Sequence, residues 1–128
     1  MVLLLDTHIL LWALDSPRRL PQDIVAQIAS PENTVYFSAA NIWEIAIKTA
    51  LGKIDFPYSP EDIAQAAIDT GFIELPVSAA HAAKVAHLPL HHRDPFDRLL
   101  IAQALLMPAQ LLTADSALTP YSELVRRV

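Results

Sequence analysis

The sequence predicts an α/β chain: a three-layer α/β/α sandwich around a mostly parallel sheet of four or five strands. Three observations carry this. Short, continuously apolar runs such as Val2-Leu3-Leu4-Leu5 suit strands buried on both faces. These runs alternate with longer helical segments that bring their own start signals. The only two glycines, Gly52 and Gly71, leave no glycine-rich phosphate loop, which removes the dinucleotide-binding and P-loop folds. At 128 residues and 53% hydrophobic composition the chain is expected to form one domain, 1–128, with a filled core.

In chain order, Val2 to Leu5 is the first strand, and Thr7 to Leu14 reads as helix. Pro21 to Ala29 is a second helix with Ile24, Val25 and Ile28 on one face. Thr34 to Phe37 is the second strand; Ser38 is a natural cap for a helix over Ala39 to Leu51, and Gly52 is placed to stop it. Ser59-Pro60-Glu61-Asp62 combines a cap, an N1 proline and early acids, starting a helix that runs to about Thr70. Phe72 to Leu75 is a third strand, and Ser78 caps a helix through His87. Asp94-Pro95 opens a helix to Leu106, Gln110 to Thr113 is a fourth strand, and Leu124 to Val128 adds a fifth at an edge.

Composition narrows the setting. No cysteine is present, so disulfides and thiolate metal sites are excluded and a reducing cytoplasm fits. The apolar stretches, Met1 to Leu5 and Ile9 to Leu14, are too short to span a bilayer, so no membrane association is expected. The apolar fraction is high for so small a chain, which predicts an interface: a homodimer, a protein partner, or both. The net charge of −5 argues against a broad basic surface for nucleic acid, unless carboxylates are gathered around cations that reverse the local field.

The acids fall in a pattern. Asp6 ends the first strand and Asp115 follows the fourth. Glu44 lies in the helix after the second strand, and Asp94 and Asp97 sit in the first turn of the helix feeding the fourth. In a parallel sheet these positions converge on the carboxyl ends of the strands, where ligands gather. Carboxylates beside apolar elements are costly unless paired or bound to a cation. A convergent set without matching cations suits Mg²⁺ or Mn²⁺, hard ions that take oxygen ligands. Each acid also has a plain structural role open to it: Asp6 and Asp94 as helix caps, Asp97 at a helix dipole, Glu44 paired with Lys48 at i+4.

Taken together, the segments LLLDTHILLWAL, SAANIWEIAIKTALGKI, LPLHHRDPFDRLLIAQA and LLTAD resemble PIN-domain ribonuclease toxins of the VapC type, in the family's order and over nearly the whole chain. The resemblance implies a PIN-like fold and a four-acid centre that binds Mg²⁺ (or Mn²⁺) and hydrolyses RNA phosphodiesters through an activated water. By position the acids are Asp6, Glu44, Asp97 and Asp115. Asp94 matches a recurring acid of this branch, an auxiliary ligand or a residue just behind the ligands; the choice between Asp94 and Asp97 as third ligand stays open, as does Glu44 as general base. Thr7, Ser38 and Thr113 match polar positions near the centre. The implied partners are an RNA substrate, a cognate VapB-type antitoxin and a second copy of the chain. Higher assembly with the antitoxin and a cytoplasmic location follow. Departures from the family are Ala114, where many relatives have asparagine, and Met107-Pro108-Ala109, where a glycine is common.

Around this centre, Arg93, Arg98 and Lys48 are candidates for phosphate contact, with charge balancing of Asp94 and Glu44 favoured for the last two. Arg18 and Arg19 follow the first helix and are free to touch RNA. Trp12 and Trp43 lie in apolar helical stripes and are expected in core or interface; by resemblance they are candidates for the groove that takes an antitoxin helix. His81, His87, His91 and His92 lack zinc spacing, and adjacent His91 and His92 are expected to point apart; His8 is read as a helix-surface residue. Three rivals are a non-catalytic PIN-fold binding module, a PIN nuclease of housekeeping RNA processing, and a phosphoacceptor with Asp6 as nucleophile. The retained acids oppose the first. The third lacks its acids, since position 8 is histidine and none directly follows Leu75.

Overall fold

A computed structural model describes residues 1–53 and 57–128; of the quoted middle segment only Ile54 lies outside them. The elements are β1 (Val2–Leu5), α1 (Thr7–Asp15), α2 (Gln22–Ala29), β2 (Thr34–Ser38), α3 (Ala39–Ala50), α4 (Pro60–Thr70), β3 (Ile73–Leu75), α5 (Ala79–Lys84), α6 (Pro95–Leu106), β4 (Gln110–Thr113) and β5 (Val125–Arg127). Short 3₁₀ turns cover Pro17–Arg19, Val85–His87 and Ser116–Tyr121. The five strands form one sheet in the order β3-β2-β1-β4-β5, and every pairing is parallel.

The apolar run of β1 explains its central place. Leu3 and Leu5 point to one face, into a core with Ile9, Ile24, Phe37, Ile45 and Ile63. Leu4 points to the other, against Leu100, Ile101, Ala104 and Leu111. A strand that must be apolar on successive residues is one with a helical layer on each side. β4 repeats the pattern, Leu112 joining the first core and Leu111 the second. Leu4→Ala is expected to lower unfolding free energy by about 2–5 kcal/mol, because a fully buried side chain leaves a cavity in the middle of the sheet. A urea titration measures this.

The caps are local and act as their residue types suggest. Ser38 Oγ accepts from the Ala40 N–H at 3.0 Å while Asn41 Oδ1 accepts from the Ser38 N–H at 2.7 Å, closing a reciprocal cap on α3. Ser59 accepts from Asp62 N–H, and Gly71 at φ 102° ends α4 in a conformation that side chains with a Cβ resist. The helix expected through His87 is α-helical only to Lys84. Pro89 follows directly, and the chain tightens so that the Leu88 N–H bonds the Val85 carbonyl at 3.2 Å. No described helix is long and apolar enough to cross a membrane.

Candidate active site at the carboxyl edge of the sheet

Asp6 follows β1 at the strand's carboxyl end and is 5% exposed. Its N–H continues the sheet by bonding the Leu112 carbonyl at 3.0 Å. Its side chain caps α1, Oδ1 accepting from the Ile9 N–H at 3.1 Å, and Oδ2 accepts from the Thr113 hydroxyl. Burial raises the carboxyl's pKa above its usual value, against the bonds from Thr113 and Ile9. Thr113 Oγ1 also accepts from the Asp115 N–H at 3.0 Å, so one threonine at the end of β4 positions two acids.

Glu44 is brought over the same edge by α3 and is 4% exposed. Thr7 Oγ1 donates to its Oε1 at 2.6 Å, and Asn41 Nδ2 donates to Thr7 Oγ1 at 3.1 Å. Lys48, one turn on, pairs with the other oxygen, and this bond raises the lysine's pKa. The i+4 pairing therefore holds, and Glu44 has more polar cover than its apolar sequence neighbours suggest. Asn41 belongs to this network; its signal in the sequence is its place three residues after the cap Ser38.

At the start of α6, Asp94 Oδ1 accepts from the N–H groups of Phe96 (2.9 Å) and Asp97 (3.1 Å), the capping role open to it. Asp97 Oδ2 lies 2.9 Å from His92 Nε2. Burial, then the charge of Asp94, push the Asp97 carboxyl up to about 6, with Asp6 and Glu44 adding smaller repulsions and His92 opposing them. Asp115 is exposed and caps the following turn through the Ala117 N–H at 2.9 Å.

All five acids, Asp6, Glu44, Asp94, Asp97 and Asp115, line one open cleft of about 660 Å³ together with Thr7, His8, Lys48, Arg19 and His92. Within it the spacing is uneven. Among the described residues the one set of three ligand atoms lying within 4.8 Å of one another comes from His92, Asp97 and Asp115. Asp6 and Glu44 line the same cleft outside that set, their oxygens engaged by Thr113, Ile9, Thr7 and Lys48.

Several neighbours differ from expectation. His92 turns into the cleft; its placement depends on how residues 85–93 fold back, which no local pattern encodes. Arg98 neither balances Asp94 nor faces the cleft with its charge: its guanidinium is spent on backbone carbonyls and the Tyr121 hydroxyl. Ser38 Oγ donates to Gln103 Oε1 at 2.6 Å and does not line the cleft. Trp43 is 58% exposed, standing edge-on to Phe96 at 5.0 Å, so it is no core residue. Trp12 is half-buried against the first core, with the Arg19 guanidinium 4.7 Å from its ring and His8 exposed beside it. Arg93 is exposed, and Arg18 lies on the exposed turn after α1.

Fold and cleft together define an α/β protein with a carboxylate centre at the carboxyl ends of its parallel strands. The chain belongs to the PIN domain family, whose profile matches residues 3–123. PIN domains are nucleases. Among solved structures, that of VapBC2 from Rickettsia felis, bound to a DNA fragment from their promoter, is similar with a TM-score of 0.64 and 17% identity, over 90% of this chain and 88% of that one. FitAcB from Neisseria gonorrhoeae is similar with a TM-score of 0.56 and 20% identity, over 91% and 89% of the two chains. At these identities the likeness is one of fold. No curated protein matches the chain by sequence.

Proposed function

We propose that this chain is a divalent-cation-dependent ribonuclease and the toxin of a VapC-type toxin–antitoxin pair. In this reading it acts in the cytoplasm as a homodimer that assembles further with a VapB-type antitoxin. The observation that carries the reading is the convergence of five carboxylates from four separate segments on one cleft. The donor set fits a hard cation: carboxylate oxygens predominate, and the mutual repulsion felt at Asp97 is what a cation relieves. VapC-like sequence segments and a similar fold in VapBC2 support the toxin assignment.

Asp6, Glu44, Asp97 and Asp115 would hold the cation, with Asp94 fixing the α6 terminus that carries Asp97. When bound, the cation supplies Lewis acidity, activating water and neutralising charge that builds on phosphorus. Thr113 holds the Asp6 carboxylate and the Asp115 backbone; Thr7 and Lys48 each hold one oxygen of Glu44. Arg19, at the cleft wall, and the exposed Arg93 supply cations for the RNA backbone.

The purified protein is expected to cleave RNA in Mg²⁺ or Mn²⁺, with EDTA or Asp6→Asn each lowering the rate at least about 100-fold. Cleavage that survives both overturns the mechanism, and no cleavage of any RNA favours a binding module. In cells, induction of the wild type but not of Asp6→Ala should arrest growth, and sequencing of RNA 5′ ends then gives the cut sites.

A further inference from the structure

The strap between α5 and α6, residues 85–93, has one 3₁₀ turn and little burial, yet its backbone is firmly held. Arg98 Nη1 donates to the carbonyl of Pro89 at 2.9 Å and Nη2 to that of Val85 at 3.1 Å, with longer contacts to Leu88 and His92. The Tyr121 hydroxyl accepts from the His92 N–H at 2.8 Å and donates to the His92 carbonyl at 3.2 Å. His92 is thus clamped on both sides of its Cα by groups from α6 and from the turn before β5.

The clamp fixes the backbone that carries the imidazole at the cleft. The His92 side chain is 25% exposed, its Nε2 facing Asp97 Oδ2 at 2.9 Å, and one ligand atom each from His92, Asp97 and Asp115 fall within 4.8 Å of one another. A histidine serving only as a charge partner for Asp97 needs no proximity to Asp115. A metal-binding histidine needs a well-held backbone and convergent carboxylates, and both are present. Chemistry then decides between ions: Mg²⁺ takes oxygen and keeps its waters, whereas imidazole nitrogen favours first-row transition ions.

We propose that His92 is a nitrogen ligand of the cation site, making it a mixed nitrogen–oxygen centre with Asp97 and Asp115 that selects Mn²⁺ over Mg²⁺. This rests on the cation-dependent reading above and deepens it. A cation shared by His92 and Asp97 takes the place of the proton that now joins them.

The test uses the full chain without an affinity tag, titrated with Mn²⁺ alone and followed by electron paramagnetic resonance. Pulsed spectra of the Mn²⁺-loaded wild type should show nitrogen modulation from a coordinated imidazole. His92→Gln, whose amide still reaches Asp97, should abolish it and weaken Mn²⁺ binding at least about tenfold, with Mg²⁺ affinity, read by competition, changing less than about threefold. His92→Asp should bind Mn²⁺ without the nitrogen signal and narrow the preference for Mn²⁺ over Mg²⁺. Mn²⁺ binding with no nitrogen modulation, or modulation that persists in His92→Gln, overturns the inference and leaves the carboxylate site standing. Absence of any Mn²⁺ binding overturns both.

Discussion

Asp97→Asn is expected to abolish function and stabilise the cation-free fold at once. Under the proposed mechanism RNA cleavage should fall about 1,000-fold or more, because the substitution removes a proposed cation ligand without changing the shape of the site. The stability effect has the opposite sign. The Asp97 carboxyl titrates at about 6 in the folded protein, raised by burial and by Asp94, against an ordinary value of 3.8. Between those values the folded chain binds more protons than the unfolded one, so stability falls as pH rises through that window and stays reduced above it. Asparagine removes the penalty. In EDTA at pH 8 the variant should be more stable by on the order of 2 kcal/mol, raising the melting midpoint by several degrees. At pH 4 the two proteins should melt alike, and saturating Mn²⁺ should reverse their order. Differential scanning calorimetry at the two pH values checks this; a variant that melts lower than wild type at pH 8 in EDTA would show that the His92 bond outweighs the repulsion.

Arg98→Met should lower stability by about 3 kcal/mol, a large effect for one side chain outside the two cores. Hydrogen bonds from a charged donor contribute roughly 1.5–3 kcal/mol each, and those of Arg98 are not additive because they fasten one strap. Methionine keeps the aliphatic packing and loses every donor. Arg98→Lys should recover only a minor part, since one ammonium cannot reproduce a planar fork that reaches Val85, Pro89 and Tyr121 together. Amide exchange localises the defect. The His91 and His92 N–H groups, both bonded to the Tyr121 hydroxyl, should exchange at least about tenfold faster, while the amides of β1 and β4 are slowed or quickened only by the global change.

The elements were readable where the signal is local. Apolar runs marked the buried strands. Ser38, Ser59, Ser78 and Asp94 marked helix starts, because a cap is an interaction between residues two or three apart. The acids were readable through topology, since the end of every parallel strand lies on one edge. What escaped depends on contacts between distant segments. Arg98 sits four residues after Asp94, so helix periodicity suggests an ion pair, yet four strap carbonyls and the Tyr121 hydroxyl take its donors, and no spacing rule anticipates them. Adjacent histidines do point apart, as expected; His91 stands edge-on to Tyr121 at 4.9 Å while His92 turns to Asp97. Which of the two faces the cleft is set by Tyr121, about 30 residues away. Trp43 lies in an apolar stretch, but α3 turns that position outward beside Phe96.

The charge balance also becomes intelligible. Five of the chain's 14 acidic residues line the cleft, against two basic side chains there, Arg19 and Lys48. If the cleft holds a cation, as proposed above, acidity concentrated there opposes nucleic acid far less than the same charge spread over the surface.

The position of β4 beside β1 has a consequence for biosynthesis. The sheet's middle is assembled from the two ends of the polypeptide, with Leu3 aligned on Gln110 and the Thr113 hydroxyl reaching back to Asp6. A growing chain therefore exposes Asp6 well before β4 brings the Thr113 hydroxyl that holds it. Pairings of such long sequence separation form late and slowly. The complete cleft, with Asp6 held from β4 and Asp115 just beyond it, should therefore arrive as a single delayed event late in folding.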